Sequence, residues 1–143
     1  MVVGGFASIA HGVVRATMDL DLAIHVDDKD LKIAWDCLKN IGFVCRQPVQ
    51  EEVFCNAQKL VEIMKQKNAK AMTFYHPDKP YLVVDLLMGP SFDPTNERKV
   101  CMTLFGVQVP VTTFEHLLDM KRAAGRPKDL EDIRELEMVK RRK

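Results

Sequence analysis

Within the first 21 residues, two glycines and two aspartates stand at a spacing suited to phosphate and metal chemistry. Gly4-Gly5 follows the apolar start Met1-Val2-Val3, and Arg15-x-Thr17-x-Asp19-x-Asp21 runs into Leu22-Ala23-Ile24. In a strand, side chains two apart share a face. Arg15, Thr17, Asp19 and Asp21 therefore project together if the extended run begins that early, with Leu20, Leu22 and Ile24 on the other face. Two neighbouring carboxylates repel unless a cation lies between them, and a hard divalent ion sharing its oxygens with substrate phosphates answers that need. A glycine pair where a strand passes into a helix lets backbone N–H groups approach phosphate. The pairing points to phosphoryl-type chemistry.

A third carboxylate, Asp85, interrupts the apolar run Tyr81-Leu82-Val83-Val84-Asp85-Leu86-Leu87. An unpaired buried carboxylate costs several kcal/mol, roughly. Asp85 is therefore ion-paired, metal-bound or placed at the mouth of a site. Three acids from two strands suffice for two metals about 4 Å apart, with Asp85 on one of them and available as a general base. Lys121 falls on the apolar face of a predicted helix, seven residues after Phe114 and four after Leu117. A lysine there either snorkels or meets an anion, the triphosphate or the carboxylates. Arg15 either steadies the aspartates, touches phosphate or lies free on the surface. His11 and His25 read as packing residues, and Asp78, Asp93 and Asp129 as turn or capping residues.

These residues need elements to place them. A strand over 2–4 leads to a short helix over 6–11 that stops near Gly12, and a second strand runs over 19–26. Asp27 or Asp28 caps a helix carrying Leu31, Ala34, Trp35, Leu38 and Ile41, which ends at Gly42. A brief strand over 43–46 precedes the stripe Val53, Phe54, Ala57, Leu60, Val61, Met64, which reads as helix or as part strand and part helix. Strands over 69–75 and 81–88 flank a turn over 76–80, and a loop spans 89–96. A hairpin of 99–104 and 107–111 turns at Phe105-Gly106. Thr112-x-x-Glu115 is a capping-box pattern opening a helix to about Ala124; Gly125-Arg126-Pro127 breaks it, and a last helix covers 128–142. Strand–helix alternation mixed with a hairpin gives an α+β (mixed α/β) class, a mixed sheet flanked by helices.

The 143 residues suit one domain with a real core, and a net charge of +1 supplies no global field for nucleic acid or membrane. The tail Lys140-Arg141-Arg142-Lys143 suits a helix C-terminus. Cys37, Cys45, Cys55 and Cys101 have no zinc or redox spacing, so reduced thiols in a cytoplasmic protein are expected. No membrane-length apolar run or signal peptide is visible.

With Gly4-Gly5, thirteen intervening residues, Asp19-x-Asp21 and the later strand residue Asp85, the chain resembles the DNA polymerase β-like nucleotidyltransferases. It looks most like the branch of abortive-infection toxin-type (AbiEii-like) enzymes and their prokaryotic relatives. That branch shows a glycine pair, then Arg-x-Ser/Thr-x-Asp-x-Asp, then a C-terminal motif, here Lys121-x-x-x-x-Arg126-x-Lys128-Asp129-x-x-Asp132. The resemblance implies Mg²⁺ (or Mn²⁺) dependence and transfer of a nucleoside monophosphate from an NTP to an acceptor hydroxyl, with release of pyrophosphate. Asp19, Asp21 and Asp85 would be the catalytic metal ligands. Gly4, Gly5, Arg15, Thr17 and Lys121 would contact the nucleotide. The acceptor could be tRNA, another protein or a small molecule, and a partner protein or a second copy of the chain could complete the site. Two other readings stand beside it: a glycosyltransferase using Asp-x-Asp, which the glycine pair and Asp85 disfavour, and a non-catalytic nucleotide- or partner-binding domain of a toxin–antitoxin-like system.

Overall fold

Two apolar clusters meet along one strand, and that strand carries two of the three acids. The computed structural model describes residues 1–89 and 98–142. The chain runs α1 (Gly4–Ala10), β1 (Asp19–Ala23), α2 (Asp28–Asn40), β2 (Val44–Cys45), α3 (Glu51–Phe54), α4 (Ala57–Gln66), β3 (Ala71–His76), β4 (Lys79–Leu87), β5 (Lys99–Leu104), β6 (Val107–Thr112), α5 (Phe114–Ala124) and α6 (Pro127–Arg142). The architecture is the expected α+β. One sheet has the order β1-β4-β3-β2, with β1 parallel to β4 and the other pairs antiparallel. The β5–β6 hairpin joins it through Val2, which bridges Leu22 on one side and Val111 on the other.

Alternation along the strands separates a dry face from a chemical one. Met72, Phe74, Val84 and Leu86 are buried and pack with Leu31, Phe54, Leu60 and Met64 of α2, α3 and α4. The intervening residues, Thr73, Val83 and Asp85, stay half-exposed. The second cluster joins Val2, Ala7, Val111, Leu117, Leu118 and Leu136, from α1, the hairpin and the last two helices. Leu20 and Leu22 of β1 pack against both.

Several boundaries differ from the sequence expectation. Val2 makes only isolated bridges, and Gly4 and Gly5 already belong to the first turn of α1. Strand β1 stops at Ala23 rather than Val26. The apolar stripe after Pro48 divides into two helices because Asn56 adopts an extended backbone and its Oδ1 caps α4 by accepting the Lys59 N–H at 2.9 Å. The cap of α5 is Thr113, whose hydroxyl oxygen accepts from the His116 N–H at 3.4 Å. Thr112 ends β6, fully buried, with its hydroxyl 3.0 Å from His116 Nδ1, so Thr112-x-x-Glu115 is not a capping box. The loop predicted over 89–96, with Asp93, lies outside the described residues from 90 onward.

Trp35 lies against Phe54 and Phe74, with ring centroids 5.0 Å and 5.7 Å away, so its fluorescence reports on this core. We expect Asn56→Ala to remove the α4 cap and lower stability by about 1 kcal/mol. Urea unfolding followed at Trp35 measures the loss, and an unchanged midpoint would show that α3 and α4 are separated by something other than the cap.

Candidate functional site

The parallel register of β1 and β4 places Asp21 directly beside Asp85, and Asp19 projects from the same face two residues earlier. One carboxylate oxygen from each of the three lies within 4.8 Å of the others. Sequence spacing could put Asp19 and Asp21 together. It took the strand pairing to bring Asp85 to them.

Each acid has its own support. Asp21 accepts a backbone hydrogen bond from Gly5. Asp19 Oδ1 accepts from the Thr17 hydroxyl at 3.2 Å. Asp85 Oδ1 accepts from the Thr73 hydroxyl at 2.6 Å, across the antiparallel β3–β4 pair. The glycine pair makes room for this arrangement. A Cβ on Gly4 would lie 1.8 Å from Asp21 Oδ2 and 2.8 Å from its Cβ, and Gly4 has φ +62°. A Cβ on Gly5 would lie 2.6 Å from Thr17 Oγ1. The glycines are needed for the carboxylates themselves, whatever else their N–H groups bind.

Burial pushes the Asp21 carboxyl up, and the charges of Asp19 and Asp85 push it further, to about 6. The Gly5 N–H and the Lys128 ammonium act in the opposite direction. Lys128 is exposed, on the first turn of α6. Arg126 stands beside it with 61% of its side chain exposed, and its guanidinium forks onto the buried Asp129 at 2.6 Å and 3.2 Å. That pair, then the charges of Asp129, Asp21 and Asp19, hold Arg126 more firmly protonated than usual.

Lys121 and Arg15 are engaged elsewhere. Lys121 is 4% exposed, and its Nζ lies 2.5 Å from Asp132 Oδ2 and 3.8 Å from Asp129 Oδ1. The ammonium on the apolar helix face thus meets carboxylates of α6, not those of Asp19, Asp21 and Asp85. Arg15 Nη1 donates to the same Asp132 oxygen. Asp129, expected in a turn or capping role, does accept the Arg126 backbone N–H at 3.2 Å at the start of α6, but it is also 2% exposed and ion-paired; burial raises its pKa, but Arg126 and Lys121 more than offset this and hold it below the usual carboxylate range.

His11 packs as expected: it is buried, with Nε2 2.8 Å from the Thr112 carbonyl oxygen. His25 is not packed away. It is half-exposed, and its Nδ1 lies 2.7 Å from Asp27 and 3.5 Å from Asp30 at the start of α2. A cleft of about 610 Å³ opens beyond the carboxy ends of β1 and β4, lined by Ile24, Val26, Met64 and Met88; none of the three acids lines it. The three acids lie apart from it, each partly buried.

Sequence reasoning did not single out Thr73, Asp132, Arg126 or Lys128 as parts of the site. The last three fall within the C-terminal motif, which was a signal for them; Thr73 had none. No known protein-family model matches the chain, and no curated protein sequence matches it. No helix among the described residues is long and apolar enough to cross a membrane.

Two outcomes follow from this geometry. The folded Asp21 pKa, about 6, lies above the ordinary value of 3.8, so the metal-free fold binds the extra proton between those limits. Its stability therefore falls as pH rises from about 4 to about 6, then levels off. Asp21→Asn removes this dependence and raises the melting temperature at pH 7; thermal melts at pH 5 and pH 7 with chelator test it, and a parent profile rising over that interval would contradict it. Gly4→Ala forces a side chain into Asp21 at positive φ, a strain of order 1–3 kcal/mol. It should lower the melting point and displace the Asp21 carboxylate, which calorimetric Mn²⁺ titration would register as lost binding.

Proposed function

We propose that the protein is a metal-dependent nucleotidyltransferase that moves a nucleoside monophosphate from an NTP to an acceptor hydroxyl and releases pyrophosphate. The observation that carries this reading is the convergence of the Asp19, Asp21 and Asp85 carboxylates within 4.8 Å of one another. The donor set fits Mg²⁺ or Mn²⁺: all three ligands are hard oxygens. Their mutual repulsion, which adds to burial in raising the Asp21 pKa, favours a divalent cation among them. Bound there, such an ion supplies Lewis-acid stabilisation of charge on the phosphoryl oxygens.

The chain's own residues account for the rest. Thr73 occupies one oxygen of Asp85, Oδ1. The other oxygen is left to ligate or to accept the acceptor's proton. As the acceptor oxygen bonds to the α-phosphorus, the bond to pyrophosphate breaks, and that proton passes through the carboxylate to solvent. Lys128 and Arg126 stand where cations can meet the phosphates, Lys128 with no ion-pair partner among the described residues. Lys128 replaces Lys121 and Arg15 in the phosphate role, because the latter two are held by Asp132, while Arg126, itself forked onto Asp129, adds its field.

Incubation with each α-labelled NTP, Mg²⁺ and a cell extract tests the activity, with nuclease and protease digestion separating an RNA acceptor from a protein. Label should enter one macromolecular class and disappear with Asp85→Asn. Lys128→Met should slow transfer roughly tenfold, the scale of one charge-assisted contact, and leave the melting temperature unchanged. Metal-dependent NTP binding without label in any acceptor would favour the non-catalytic nucleotide-binding reading. Absence of metal-dependent NTP binding in calorimetry would reject both.

A further inference from the structure

Residues 13–18 form no helix or strand, yet they must deliver Thr17 and Asp19 to the site. The segment has little apolar anchorage: Val13 is buried, but Val14 is 97% and Met18 72% exposed. Its ties are few. Val13 N–H donates to the Ser8 carbonyl at 3.0 Å, Thr17 lies against Gly5, and Arg15 reaches Asp132. Asp132 is itself 5% exposed and accepts from Lys121 through the same oxygen. One buried carboxylate oxygen thus ties two cations, one from α5 and one from the segment that leads into β1.

We infer that Asp132 is a positioning residue for the carboxylate site, acting through Arg15 to hold the 13–18 segment so that the Thr17 hydroxyl can orient Asp19. Lys121 supplies the countercharge that a carboxylate removed from water needs. Arg15 then has a fixed anion to grip. Two residues later Thr17 is set against Gly5, where its hydroxyl reaches Asp19 Oδ1 at 3.2 Å. Support of this kind behind a metal ligand governs affinity through orientation. The inference rests on the reading of Asp19 as a metal ligand.

Charge and position predict opposite signs, which makes the role testable by Mn²⁺ titration of the full chain without nucleotide. Arg15→Met leaves the Lys121–Asp132 pair intact. Lys121→Met/Asp132→Leu removes both charges of that pair, leaves Asp129 to Arg126 and frees Arg15 from its anchor. Loss of a cation by Arg15→Met would, by electrostatics alone, leave Mn²⁺ affinity unchanged or tighten it. The double variant is charge-neutral and would, by electrostatics alone, leave it unchanged. Positioning predicts weaker binding in both, roughly tenfold, as when outer support of a ligand is lost. Melting of Arg15→Met should stay close to the parent. Should the double variant fail to fold, Arg15→Met alone decides. Either folded variant binding Mn²⁺ as tightly as the parent overturns the positioning role. A parent that binds no Mn²⁺ rejects the metal-site reading, and this inference with it.

Discussion

Three carboxylates on two adjoining strands repel one another, and much of the surrounding structure answers that repulsion. The register that sets Asp21 beside Asp85 brings the charges together. A peptide N–H from Gly5, hydroxyls from Thr17 and Thr73, and the cations at the start of α6 then partly compensate them. The compensation is incomplete, and burial of Asp21 together with the remaining repulsion raises its proton affinity. Such a residual strain is expected where a site is shaped for a charged ligand rather than for the stability of the ligand-free protein.

The ionic groups divide into two sets with different work. Lys121, Asp129, Asp132 and Arg15 form a largely water-excluded cluster that fastens α5, α6 and the entry to β1 to one another. Arg126 bridges the sets, with one side on Asp129 and its field on the acids. Lys128 belongs wholly to the open side. Burial separates the sets more clearly than residue type does. A lysine that is 4% exposed and already paired has little to offer a substrate, whereas an exposed one seven residues further along the chain is available.

The α+β class and most of the elements were legible in the sequence because they follow from local periodicity. The apolar run around Asp85 showed β4, and Phe105-Gly106, both at positive φ, made the hairpin turn that was expected. The three acids were legible because a carboxylate in an apolar strand calls for an explanation. The partner of Asp85 was not. The β3–β4 pairing shifts between Tyr75 and His76; extended from His76↔Lys79 without that irregularity it would set Lys70 opposite Asp85, and the shift puts Thr73 there instead. The fate of Lys121 was also hidden. Helical spacing correctly put it on the apolar face, but only the crossing of α5 and α6 decides which anion it meets.

The double membership of Leu20 and Leu22 has a consequence for how the molecule can come apart. These two side chains are shared by both apolar clusters, and they alternate with Asp19 and Asp21 along the same five residues. Neither half of the core can open without exposing part of the other's packing surface. Local openings that spare one cluster are therefore disfavoured at β1, and its amide protons should exchange with solvent chiefly through global unfolding. The acids are half-buried, but the backbone that carries them is expected among the slower-exchanging parts of the fold.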